Sequence, residues 1–474
     1  MWHIAKRELY DNLNSLRFAL TAVLLLALML TNAMMHLREH PGRMQAYHSG
    51  VAGHQNRLTS NANESLYKLA EQGPGYLNKK PSPLRFCAEG GETFLPRGVS
   101  GSYHRWGGRD GLESFWILGY PPVTPNLRNI SPDVTKIDWG FIIGYVLSLV
   151  ALLFTFDAIS GERESGTLRL MLANSVPRHT ALMGKFLGAL ISITIPFALA
   201  MLVNLLVIST AKDVHLNTEA WGRLGIICLI ALLYTCLFLA LGLLVSARVQ
   251  RSAVSLVVLL LIWIVFVVFT PNTLASIVGG FSSPMSSDEF EERSSQLEDE
   301  LEGELLFKYY LHPKDTREDM IKRIQLGGEY VTEDAAQQER LHETLLKQQI
   351  SQMRRVRAAI RLSPVTIVQS LFESFAGTGF ERHLQFLENV QSYAREFRTF
   401  IVDTDRADPE SLHIFGIQVG MSQKSVAPEA VPKFEDTLSF NKDFNTAAVD
   451  LLLLTLFVIV LLSGAYLAFV RVEV

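Results

Sequence analysis

Cysteine is scarce in this chain, with three among 474 residues, and three thiols cannot build a disulfide framework. Cys228 and Cys236 lie in one apolar run and Cys87 stands alone in a polar segment, so free or buried thiols are expected. No CxxC pair and no Cys/His cluster with zinc-like spacing occurs. The phosphate-cradling sequence GxxxxGK followed by Ser or Thr is missing, as are HExxH and GxSxG. The chain is therefore expected neither to bind nor to hydrolyse ATP itself, to hold no cofactor or metal, and not to be an enzyme. A net charge of −4, with no basic face, offers nothing to nucleic acid. Ionisable residues are also nearly absent from the middle of the long apolar runs. Ion- and proton-coupled transporters depend on such residues, so a secondary transporter is disfavoured.

What is present is 49% hydrophobic residues beside 19% charged ones, the balance of a membrane protein with sizeable aqueous parts. Residues 1–17 set Trp2, Ile4, Leu9 and Leu13 against Lys6, Arg7 and Arg17, the pattern of an amphipathic helix on an anionic leaflet. Residues 18–36 form an apolar run long enough to span, taken as an uncleaved first span. Residues 37–137 change to Gly, Pro and aromatics and predict a turn-rich aqueous insert with a few strands. His36 and His40 would share a helical face there and could suit copper or zinc. Pro41 is expected to end that helix at once, leaving them as interfacial side chains.

Residues 138–272 hold four further spans, near 139–156, 186–209, 224–245 and 253–269. Trp139 and Tyr145 read as interfacial anchors of the second, and Pro196 and Asn204 interrupt the third. Residues 273–446 form a larger insert that is mainly helical: an acidic helix, then a long helix capped by Thr332, then a restart at Ser363-Pro364 that Gly377 stops. Residues 447–474 hold the sixth span and a short tail, with Asp450 at a wet outer edge. Basic residues gather at the amino terminus, in residues 157–185 and at Arg248 and Arg251, whereas the loop between the third and fourth spans carries Lys212 alone. That asymmetry predicts both termini, residues 157–185 and the Arg248–Arg251 turn inside, with Lys212 and both inserts outside.

Residues 157–185, DAISGERESGTLRLMLANSVPRHTALMGK, form a polar island between two spans. Leu168, Met171 and Leu172 recur at helical spacing, Glu162 and Glu164 stand where the positive end of that helix would be, and Pro177 closes it. The stretch resembles the first cytoplasmic loop of type-2 permeases of the ATP-binding-cassette (ABC) transporters, in which a Glu-x-Glu-x-Gly-Thr-Leu run, a Pro and a Gly-Lys form the coupling helix that docks on the ATP-hydrolysing subunit. The matching residues are Glu162, Glu164, Gly166, Thr167, Leu168, Pro177, Gly184 and Lys185, with Leu172 further along the same helix. KPSPLRFCAEGGETFLPRG and RLSPVTIVQSLFESFAGTGFERHLQFLENV resemble the outer segments of a bacterial branch with large domains after the first and fifth spans.

The resemblance implies an all-α polytopic membrane protein of six transmembrane helices, in a bacterial inner membrane. It also implies a separate ABC ATP-binding subunit carrying ATP and Mg, and a second permease copy, identical or paralogous. Export between two permease chains is the function it implies. A mechanical transmitter acting on an outer partner, and a receptor using the inserts to bind a ligand, are the alternatives from other classes.

Overall fold

A computed structural model describes the chain except for residues 90–94, 104–115, 122–135, 170–176, 211–213, 215, 281–283, 312–315 and 472–474. Among the described residues, five helices are long and apolar enough to cross a membrane, and a shorter apolar helix joins them. In chain order they are α2 (Leu16–Glu64), the shorter α4 (Trp139–Leu153), α6 (Arg178–Ser209), α7 (Thr218–Arg248), α8 (Ser252–Val278) and α13 (Phe440–Val470). Ahead of them lies α1 (Trp2–Leu13), and α3 (Leu66–Gln72) follows α2. A five-residue helix, α5 (Ser160–Glu164), sits between α4 and α6. The second insert contributes α9 (Ser287–Leu301), α10 (Arg317–Ile360), α11 (Pro364–Ala376) and α12 (Gly379–Arg406). This is an all-α membrane protein apart from one small sheet.

The expected span boundaries at 37 and 273 fall inside helices. α2 continues through Pro41 to Glu64. A mid-helix proline costs about 3 kcal/mol, and burial of the apolar Leu58 and Ala62 beyond it works against that loss. His36 and His40 therefore remain on one helix, their rings stacked at 4.8 Å, with His36 also edge-on to Phe86. α8 likewise passes through Pro271, just after a π-helical stretch, Ile264–Phe269. Hydroxyls take up the carbonyls set free there: Thr270 donates to Val265 O at 2.7 Å and Ser363 to Phe266 O at 2.6 Å. α4 has a similar stretch at Ile142–Leu147, where Gly144 O accepts from Tyr234 at 2.8 Å and from Ser148 at 2.7 Å.

The strands expected in the first insert are β1 (Gly75–Asn78), β2 (Gly98–Tyr103) and β3 (Trp116–Gly119), antiparallel in the order β1-β2-β3 with Tyr76 opposite Ser100 and Gly101 opposite Leu118. The two inserts share one hydrophobic core. Leu66, Leu69, Val99 and Trp116 from the first join Met353, Phe386, Val390 and Phe397 from the second. Trp116 meets Phe397 edge-on at 5.8 Å, and Arg398 lies over the Trp116 ring at 4.5 Å. Backbone bonds tie residues 422–426 to the end of α2 and the start of α3, including Val426 N to Ala62 O at 2.8 Å. The two inserts thus form one body built from two separated segments.

Buried polar contacts fix that body to the bundle. Asn32 donates to Phe86 O and Ile137 O at 3.1 and 2.8 Å, and Asn204 donates to Asn32 at 2.9 Å. Arg223 on α7 pairs with Asp443 on α13 at 2.8 Å, both nearly sealed from solvent. Several expectations are corrected here. Trp139 is fully buried against Phe86 at 5.5 Å and is no interfacial anchor, because the first insert covers the end of α4. Asp450 is buried and paired with Arg361 at 2.8 Å, because α11 closes over it. Thr316, not Thr332, caps the long helix, since the amphipathic pattern extends a further sixteen residues toward the amino terminus. Gly377 ends α11 in the left-handed conformation at φ +65°, as expected. Lys212 lies outside the described residues.

His383, at the start of α12, is buried beside Lys79 and Arg382, and burial holds its imidazole down at about 3. The unfolded chain takes up that proton near pH 6.5 while the folded one does not, so the stabilisation is complete above about 6.5 and declines as pH falls. Acidification from pH 7 to 5 is expected to cost the insert body ~2 kcal/mol at this residue alone. His383→Gln should flatten that part of the pH dependence of the thermal midpoint, and an unchanged profile would contradict it.

Candidate functional site

The end of the bundle opposite the inserts gathers α1, the turn at residues 154–159, α5, the start of α6, the end of α7, the start of α8 and the end of α13. At its centre is Lys185. Its side chain is 3% exposed, and its Nζ donates to Glu8 of α1 at 2.6 Å and to Glu162 of α5 at 2.7 Å. An isolated buried ammonium would be too costly to keep, so the two carboxylates are a condition of its being there.

The close approach that makes this possible is written into α6. Gly184 and Gly188 are four residues apart on one face, the small-xxx-small spacing that lets helices touch backbone to backbone. A Cβ on Gly184 would meet Ile4 Cβ at 2.9 Å, and one on Gly188 would meet Glu8 Cβ at 2.6 Å. The packed side of α1 is accordingly Ile4, Ala5, Glu8 and Asn12, whose amide donates to Ser192 at 3.1 Å. Trp2 and Leu13, expected with Ile4 on the leaflet-facing side of this helix, are exposed. The groove on α6 selects the small and polar side of α1 and leaves its oily side outward.

Other contacts tie the remaining elements to the same joint. Arg17 pairs with Asp157 at 2.9 Å, lies over Phe156 at 4.9 Å and donates to Leu153 O at the end of α4. Ser246, near the end of α7, accepts from the backbone N–H groups of Ile159 and Ser160 at 3.0 and 3.1 Å, capping α5 from another helix. Arg178 donates to the last carbonyls of α13, at Phe469 and Val470. Ser252, which opens α8, donates to Glu164.

The residues singled out in the sequence divide into two groups. Glu162, Gly184 and Lys185 are internal, and Leu168 is buried. Glu164, Gly166, Thr167 and Pro177 face solvent. Gly166 adopts φ +72° with nothing within 4 Å of where a Cβ would stand, so the turn needs its glycine for conformation and not for space. Glu162 and Glu164 do not open the helix that holds Leu168. They belong to α5, because Gly166 breaks the chain before a new helix begins at Thr167. Met171 and Leu172 lie outside the described residues. Glu8 and Ser246 were not foreseen, and the available signal was slight: Glu8 is one of two carboxylates, with Asp11, among the three basic residues of the leader. Among the described residues, no group of three His, Cys, Asp or Glu is placed to hold a metal.

Replacing Lys185 with Met should leave two carboxylates facing each other and lower stability by about 3 kcal/mol. Glu8 and Glu162 are 27% and 29% exposed, so each Gln variant should cost less than that. In Lys185→Met, α1 should also become open to trypsin at Lys6 and Arg7, and unchanged protection would contradict the bolt.

Comparison with known proteins gives this joint a context. The family model described as ABC-2 family transporter protein matches residues 2–401. The probable ABC transporter permease protein NosY of Pseudomonas aeruginosa is 34% identical over 139 residues, covering 28% of this chain and 49% of that protein. The NosY of Stutzerimonas stutzeri is 32% identical over 139 residues, with the same coverage. The chain thus spans about half the length of the curated relatives it matches. On the extent of the family match, the chain belongs to the ABC-2 family of transporter proteins.

Proposed function

We propose that this chain is the permease subunit of an ATP-driven exporter in a bacterial inner membrane. A separate ATP-binding subunit, holding ATP and Mg, supplies the energy, and a second permease chain, identical or paralogous, completes the pathway. Family membership supports this reading, and the observation that carries it is the Lys185 bolt. The exposed turn at Glu164–Thr167 is two residues from Glu162, which Lys185 holds to α6, and four from Ser160, which Ser246 holds to α7. A push on that turn cannot be absorbed locally and passes to the spans. The ATP-binding subunit docks there, against Glu164, Gly166, Thr167 and Pro177, with Leu168 and the Glu162–Lys185 pair behind them; Leu172, outside the described residues, is assigned to the same contact from the sequence alone.

Both termini, the docking turn and the Arg248–Arg251 turn face the cytoplasm in this reading. Their clustering at the end of the bundle away from the inserts, together with their basic residues, supports it. Mechanical transmission remains as a second reading, because the two inserts share one core. The outer body therefore moves as a unit, tied to α13 where Gln385 of α12 donates to Asp443 at 2.7 Å, and through Asp443 to Arg223 of α7. ATPase activity stimulated by a transported compound favours export, whereas stimulation only by an outer protein favours transmission.

The docking turn is tested by purifying the chain with its ATP-binding subunit. Glu164→Ala and Gly166→Val should weaken that association by roughly tenfold, equivalent to ~1.4 kcal/mol, with expression and thermal midpoint unchanged in Glu164→Ala and the midpoint lowered in Gly166→Val, whose side chain strains a turn at φ +72°. Full association in both variants would sink the assignment. Orientation is tested with a membrane-impermeant thiol reagent on a cysteine-free background. Thr218→Cys should label from outside and Gln250→Cys should not, and the reverse result would invert the topology.

A further inference from the structure

The short turn that joins α7 to α8 carries Arg248 as the last residue of α7 and Arg251 just before α8 begins. Both side chains are exposed, and neither pairs with a carboxylate among the described residues. The acids at this end of the bundle are taken elsewhere. Glu8 and Glu162 answer Lys185, Asp157 answers Arg17, and Asp11 faces Arg7. Glu164 accepts from the hydroxyl of Ser252 and not from a cation.

Arg251 also stands against the local preference of its helix. It is the N-cap of α8 and makes no side-chain capping bond. That position favours an acceptor such as Ser, Asp or Asn, and the positive end of the helix dipole disfavours a cation there. Helix formation gains nothing from this arginine, so its use lies outside the helix.

Two contacts bracket the turn and hold it beside the docking turn. Before it, Ser246 accepts from the N–H groups of Ile159 and Ser160 at 3.0 and 3.1 Å, and after it, Ser252 donates to Glu164. The two turns therefore form one continuous surface. We infer that Arg248 and Arg251 make a second docking contact for the ATP-binding subunit, which meets them with an acidic patch. This rests on the permease reading. An anionic leaflet also attracts arginines, but it repels the Glu164 that Ser252 holds next to them, whereas a protein surface can offer acids to the arginines and a donor to the glutamate at once. The docking turn hangs from α4 and α6, and the second turn from α7 and α8. A partner seated on both grips four spans instead of two.

The purified chain, in detergent without added lipid, is titrated with its ATP-binding subunit at low salt and at about 0.5 M salt, where exposed charges are largely screened. Arg248→Gln/Arg251→Gln should weaken binding about tenfold at low salt and far less at high salt. Arg251→Gln alone should weaken it about threefold, and it serves where the double variant lowers the thermal midpoint. Arg354→Gln, exposed on α10, removes the same charge from the insert body and should bind like the unaltered chain. In the complex, Gln250→Cys should be shielded from the thiol reagent. Unchanged binding by both arginine variants while Glu164→Ala is weakened overturns this contact and spares the docking turn. Full labelling of Gln250→Cys in the complex, or equal weakening by Arg354→Gln, overturns it as well. Weakening that appears only once phosphatidylglycerol is added overturns it in favour of lipid headgroups. No binding by the unaltered chain removes the permease reading and this contact with it.

Discussion

A single ammonium group, that of Lys185, is the constraint on which the end of the bundle away from the inserts depends. It stands on a membrane helix, sealed from water, and is tolerable only while Glu8 and Glu162 face it. The two acids arrive from different directions, one on a helix that precedes the first span and one on a short helix after the second. Electrostatic necessity therefore fixes where α1 and α5 lie relative to α6, more firmly than their modest apolar surfaces could. Small residues make the arrangement geometrically possible. Gly184 and Gly188 bring α1 within contact distance, and without that approach the lysine would lack its first partner.

The end that meets the inserts follows the same logic with different groups. Where helices leave the apolar region, side chains take up what the helix cannot satisfy itself. Asn32 and Asn204 are paired with each other and with nearby carbonyls, Arg223 with Asp443, and Arg361 with Asp450. Each of these contacts joins a span to an insert or to another span. The bundle is thus oily along its length and bolted by polar contacts at both ends. Such an arrangement transmits displacement well, because its few directional contacts sit where one element hands over to the next.

How much of this could be read from the residues varied with the physics involved. The apolar runs were visible because a span needs about twenty consecutive apolar residues, and Ser363-Pro364 with Gly377 marked their helix by local chemistry alone. The continuation of α2 through Pro41 and of α8 through Pro271 was not visible. A proline's cost is local, whereas its compensation comes from residues far away in sequence, such as Ser363 donating to Phe266 O. Burial of Trp139 and Asp450 escaped for a related reason, since the covering segments belong to the inserts. Of the candidate site, the Glu162–Gly166–Lys185 motif was legible. Its partners were not, because Glu8 and Ser246 act singly and carry no pattern.

The common core of the two inserts carries a consequence for biosynthesis. Leu58 to Leu118 and Leu346 to Val431 complete one another, yet four membrane passes are made between them. At a translation rate of about 5–20 residues per second, the first segment is made roughly ten seconds or more before its packing partners emerge. During that interval Trp116 and its neighbours have nothing to bury against, so this region must be sheltered, by the lipid surface or by a holding chaperone, until the later helices arrive.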